Sequence, residues 1–151
     1  MCVPLPSLNE YGFLPVPPII HDVRLEDMPG CFGLRPRRRE IWSNCLSFIE
    51  WLRANTPVTE IFVDGRFLSS SDDFSEVEMG IELTPELVRS AGGLDRFNVP
   101  SWDEFGVRVR YFAPDQPDLH NFHRAFSTPD PEIRLPNSSE GLLKGYIRIA
   151  L

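Results

Sequence analysis

The sequence has no long apolar run. No stretch approaches the ~18 consecutive apolar residues that a membrane-spanning helix needs. The opening MCVPLPSLNE lacks the basic segment and apolar run of a secretory signal. The expectation is a cytoplasmic protein with no membrane association. Cysteine is scarce. Cys2, Cys31 and Cys45 are odd in number and without metal-ligand spacing, so neither a disulfide framework nor a zinc motif can be read from them. Their number is consistent with a reducing compartment. Positive charge is also short. A net charge of -7 argues against a general nucleic-acid binder, which needs a basic field. It favours solubility and permits a basic protein partner.

Proline, by contrast, is abundant. The 15 prolines are about twice the average share, and they gather in the first 36 residues and after Val99. A chain of 151 residues fits one domain, 1–151, that can bury a core. Residues 1–36 lack sustained periodicity, and Pro15, Pro17 and Pro18 stiffen an extended segment. They are expected to form a proline-rich strap laid over the core. The pair His21-Asp22 within it reads as a turn or capping pair rather than a base with its orienting acid. Leu25 to Met28 is expected to form one helical turn ended by Pro29-Gly30.

The one long helix is predicted from about Arg37 to Ala54. Ile41, Cys45, Phe48, Ile49 and Leu52 fall on one face, Trp42 widens it, and Asn55-Thr56-Pro57 stops it. Arg37-Arg38-Arg39 puts the wrong sign at a helix N-terminus. Internal pairing, a nucleotide phosphate or an acidic partner are the candidate offsets. Thr84-Pro85-Glu86 is a helix start, and Gly92-Gly93 ends that helix. Trp102 and Phe105 are expected to anchor the loop that follows. Gly106 to Phe112 and Gly145 to Leu151 read as strands, the last at a sheet edge or closing against the core. Asp118 to Phe126 reads as a short helix. His120 and His123 on it have the spacing of helical neighbours, but only a weak case for zinc.

The stretch from Glu60 to Leu83 organises the rest. A short apolar strand, Ile61 to Val63, is broken by Asp64-Gly65, and a second strand opens at Glu76. There Val77, Met79, Ile81 and Leu83 alternate with Glu76, Glu78, Gly80 and Glu82, so the acids share one face. Two carboxylates at i and i+2, a dozen or so residues after a strand–Gly turn, have the layout of a divalent-metal site for phosphate chemistry.

That layout resembles the nucleotidyltransferase superfamily, whose core reads strand, Gly-Ser, short helix, then Asp-x-Asp, with a third Asp on a neighbouring strand. More narrowly, LPVPPIIHDVRLED, RPRRRE, IFVDGRF and KGYIRIAL together resemble a family of small uncharacterised bacterial proteins with a minimal core of this kind. The resemblance implies an α/β (α+β) fold: a mixed sheet with one long packed helix and proline-rich wraps. It implies nucleotide binding at Gly65 and Arg66, and Mg²⁺ ligands at Glu76 and Glu78 if the site is active. This chain departs from the pattern. Gly65-Arg66 replaces Gly-Ser, Glu76-Val77-Glu78 replaces Asp-x-Asp, and the third-acid strand carries Arg108 and Arg110. A degenerate member with no cofactor is therefore expected, acting through a protein partner as an antitoxin-like or defence-system component. One alternative is an active Mg²⁺-dependent enzyme that modifies a protein or RNA. Another is a metal-independent nucleotide sensor in which Arg66 and Arg37–Arg39 grip phosphate. Three structural expectations follow. Trp42, Phe48, Ile49, Leu52, Phe62, Val77, Met79, Ile81 and Val109 share one core. The loop from Phe67 to Ser75 is exposed and mobile. Glu78 pairs with Arg108 or Arg110.

Overall fold

The computed structural model describes residues 8, 13–31, 36–64, 77–92, 106–113, 121–128 and 143–151. Within them the fold is mixed α+β, built on a five-stranded sheet. The strands are β1 (Ile20–Arg24), β2 (Glu60–Asp64), β3 (Val77–Glu82), β4 (Val107–Phe112) and β5 (Tyr146–Ala150). Their order across the sheet is β1-β5-β2-β3-β4. The two outer pairs, β1 with β5 and β3 with β4, are parallel, whereas β2 runs antiparallel to both of its neighbours. The loop expected to be mobile between Phe67 and Ser75, and the anchors Trp102 and Phe105, lie outside the described residues.

Each strand forms where β-branched and aromatic residues recur. Ile61-Phe62-Val63 of β2 is buried on both faces, as a central strand requires. In β3, Val77, Met79 and Ile81 point to one side, and register brings Ile61 and Val63, Ile147 and Ile149, and Val107 and Val109 to that side with them. The long helix α2 (Pro36–Asn55) offers Ile41, Trp42, Cys45, Phe48, Ile49 and Leu52 to match, and all are buried. Together they form one core, with Val109 half-buried at its margin. Eight of the nine expected core residues are buried in it and Val109 packs against it, but Phe62 joins from the opposite side of the sheet, since its register partner is Gly80. Burial pushes the Cys45 thiol up to about 12, so this cysteine packs as a small apolar group.

The helix ends follow local chemistry. Pro36 opens α2. At its other end the Thr56 N–H and hydroxyl both donate to the Leu52 carbonyl, at 2.8 Å each. Pro57 then prevents continuation. Arg38 at the helix start is buried, and Arg37 and Arg38 both have interaction partners within the protein. Thr84 caps α3 (Pro85–Ala91) by accepting from the Leu87 N–H at 3.2 Å. Gly92 closes that helix at φ 85°, a backbone conformation that side chains disfavour. No described helix is long and apolar enough to cross a membrane.

Two expectations need correction and one alternative is resolved. The proline-rich segment is not only a strap, because Ile20–Arg24 is β1 and belongs to the sheet. Of the two places expected for the last strand, an edge or against the core, it takes the second: β1 covers its outer side in parallel register, from Ile20 opposite Tyr146 to Arg24 opposite Ala150, and Ile147 and Ile149 are buried in the core. A strand that pairs with the far end of the chain has too little local periodicity to announce itself. Finally, Pro29-Gly30 does not stop the turn after β1. A 3₁₀ turn at Leu25–Asp27 runs into a short helix, α1 (Met28–Cys31), whose opening turn tolerates Pro29.

Phe48 has no exposed surface at the centre of this core. Phe48→Ala should therefore cost about 3–5 kcal/mol in denaturant-induced unfolding. A loss under about 1 kcal/mol, the range of surface substitutions, would show that α2 does not form the core.

Candidate functional site

The side of the sheet away from α2 is polar. Register places Asp22 of β1, Tyr146 and Arg148 of β5, Phe62 and Asp64 of β2, Glu78, Gly80 and Glu82 of β3, and Arg108, Arg110 and Phe112 of β4 on it. Asp64 and Glu78 are direct partners across the β2–β3 pair. Like charges opposite one another destabilise a sheet, so each needs a cation. Asp64 takes the ammonium of Lys144, and both side chains are almost wholly buried. Lys144 is the only lysine in the sequence. Glu78 Oε1 accepts from the Arg110 guanidinium at 2.9 Å. Further along, Asp22 receives two bonds from Arg148, at 2.6 and 3.0 Å. These bonds hold the Asp22 carboxyl below the usual carboxylate range.

A short helix, α4 (Phe122–Phe126), lies on this face. Asn121 caps it by accepting from the His123 N–H at 3.0 Å. Phe122 sits over Gly80, where an added Cβ would lie 2.4 Å from the ring. Glycine is needed there for close approach, not for its backbone freedom. The Phe122 ring also meets Phe62 at 5.6 Å and Phe126 at 5.1 Å between centroids. His123 Nδ1 is 2.5 Å from the Tyr146 hydroxyl, and its Nε2 is 3.7 Å from Glu82 Oε1. Burial, with the charges of Asp64 and Glu82, pushes the Tyr146 phenol up to about 12. Tyr146 is therefore a hydrogen-bonding hydroxyl and not a nucleophilic phenolate near neutral pH.

A sequence model of a family of unknown function, DUF6932, matches residues 6–150. The chain belongs to DUF6932. Comparison with curated proteins and with solved structures gave no match.

The expected Glu78 pairing is present, with Arg110. Arg108 is the direct register partner of Glu78, but Arg110, one step diagonal, makes the bond. Gly65, Arg66, Glu76 and His120 lie outside the described residues. His21 and Asp22 form neither the expected turn nor a cap. They are successive strand residues and point to opposite faces. The His21 ring donates through Nε2 to the Pro15 carbonyl at 3.0 Å. Asp64 and Glu78, the described carboxylates nearest the position the motif implies, already bind basic side chains of the chain itself.

Sequence reasoning missed Asp64, Lys144 and Tyr146. Asp64 reads as the residue that breaks a strand, yet it is the last residue of β2 and shares the face of Phe62. A single lysine, immediately before a strand, was the available signal.

Two substitutions probe this arrangement. Lys144→Met strands the buried Asp64 carboxylate and should cost about 3–5 kcal/mol, whereas Asp64→Leu with Lys144→Met should recover most of that loss. Equal losses in the single and double variants, by urea unfolding, would contradict a coupled pair. Gly80→Ala should cost about 1–3 kcal/mol through overpacking. The penalty should shrink when Phe122→Ala is present, and an undiminished penalty would place its cause elsewhere.

Proposed function

We propose that this protein is a catalytically inactive, nucleotidyltransferase-like domain that works by binding another protein, as an antitoxin-like or defence-system component. One observation carries the reading. The carboxylates Asp64 and Glu78, side by side on the face where the resemblance implies metal chemistry, are neutralised by Lys144 and Arg110. Nucleotidyl transfer relies on carboxylates that hold metal at short, defined distances from phosphate oxygens. A divalent cation arriving here meets an ammonium and a guanidinium where it needs free oxygen ligands. On this reading Arg110 stands on the strand that corresponds to the one carrying the superfamily's third acid, so the change is one of charge sign as well as side-chain length.

A domain that has lost this chemistry keeps its shape and surface. The negative net charge suits a basic partner. The antitoxin-like role comes from the resemblance to small nucleotidyltransferase-like proteins that form one half of bacterial toxin–antitoxin or defence pairs. Fold alone does not assign function, so the role needs its own test.

Two measurements separate this reading from an active enzyme. Isothermal calorimetry with Mg²⁺ or Mn²⁺ should give no saturable binding. Labelled-nucleotide transfer should be no higher for the native chain than for Glu78→Ala. Micromolar metal binding lost in Glu78→Ala, or transfer that depends on Glu78, would overturn the proposal. Expression beside the products of neighbouring genes should yield a stoichiometric complex, and the chain eluting alone in every pairing would remove the protein-binding part.

A further inference from the structure

We propose that α4 is a pH-gated cover over the polar face of the sheet, latched by His123 and released when that imidazole takes a second proton. This does not depend on the reading of the function given above. It rests on how the ring is held. The His123 ring forms T-shaped pairs with Phe62 at 4.6 Å and Phe112 at 6.2 Å. It lies 4.3 Å from Phe122 and 5.8 Å from Tyr146, centroid to centroid. Withdrawal from water among these rings disfavours the charged imidazole.

The two ring nitrogens have different partners. Nε2 faces the Glu82 carboxylate, an acceptor, which favours the tautomer with its proton there. Nδ1 then carries the lone pair and accepts from the Tyr146 hydroxyl at 2.5 Å. A second proton would go to Nδ1. Two hydrogens cannot point at each other across that distance, so the Tyr146 O–H must turn away and lose its acceptor. The bond that ties α4 to β5 changes direction, and the helix carries a charge into an aromatic cluster.

Other charges around the ring work in both directions. Glu82 of β3 and Glu60 of β2 attract the imidazolium, but burial outweighs them and holds His123 below the usual histidine range. On β5, Arg148 acts on Tyr146 and opposes a further positive charge nearby. Of the other residues beside the ring, Phe62, Phe112 and Phe122 carry no charge. A histidine whose folded value lies below its unfolded one stabilises the packed state above the unfolded value. That contribution is lost as pH falls toward the folded value. Here the loss falls first on α4, because only this five-residue helix brings the ring to the sheet. The strands beneath keep their ladders. Once released, α4 uncovers Gly80, over which Phe122 sits, and Glu82, which His123 faces.

Amide hydrogen exchange on the full chain, corrected for the intrinsic effect of pH, tests the latch. Between about pH 8 and about pH 5, which brackets the histidine range, protection in residues 121–128 should fall severalfold. Residues 77–82 and 146–150 should hold theirs. His123→Asn keeps an acceptor for the Tyr146 hydroxyl but cannot be protonated, so its α4 should show no such fall. The midpoint should coincide with the His123 titration seen by NMR. A constant protection in the native chain, an equal fall in His123→Asn, or loss of strand protection in step with α4 would each overturn the proposal.

Discussion

The insertion of β5 between β1 and β2 is the constraint on which the rest of the structure depends. It joins residues near the two ends of the chain through two backbone ladders, one parallel and one antiparallel. Those ladders satisfy the backbone groups of three strands at once, which buried strands demand. They also deliver a consecutive set of side chains to fixed places. Lys144 reaches Asp64, Tyr146 meets His123, Ile147 and Ile149 enter the core, and Arg148 binds Asp22. Five residues of one strand and its approach therefore supply partners to both faces.

The two faces are stabilised differently. Under α2 the sheet is apolar, and burial of Phe48, Ile49, Leu52, Met79 and Ile81 is the main source of stability. On the other side the sheet brings acids together, and each must be answered. The Asp64–Lys144 pair is almost dry, so it owes its place to geometry and to the cost of losing one partner, more than to net gain over an apolar pair. The Glu78–Arg110 and Asp22–Arg148 pairs are more exposed and contribute less. This face is also where Phe122 and Phe126 pack, made possible by the missing side chain at Gly80. A polar row and an aromatic cover thus meet on one surface.

Periodicity made much of the fold legible. The spacing of Ile41, Cys45, Phe48, Ile49 and Leu52 placed α2 to within a residue at each end. The alternation in β3 placed its apolar side correctly. Thr84-Pro85 and Gly92 bounded α3 as capping chemistry predicts. Opposite charges on two strands read as parallel faces were enough to anticipate a Glu78–Arg bond. By contrast, β1 carries no such pattern. Ile20, His21 and Val23 became strand residues through pairing with β5, more than a hundred positions away. The helical pattern over Asp118 to Phe126 located α4 without saying what it covered.

By itself, then, the sequence determined which segments are helix or strand wherever the pattern repeats within one element, and which side of each is apolar. It also determined the excess of acid that makes internal cations necessary. Only the tertiary structure decided strand order, the burial of Asp64 with the single lysine, the diagonal choice of Arg110 over Arg108, and the meeting of His123 with Tyr146. Propensity and periodicity act over a few residues, whereas these contacts depend on register between strands distant in the chain. Register is settled by the collective burial of whole faces, which no local stretch can encode.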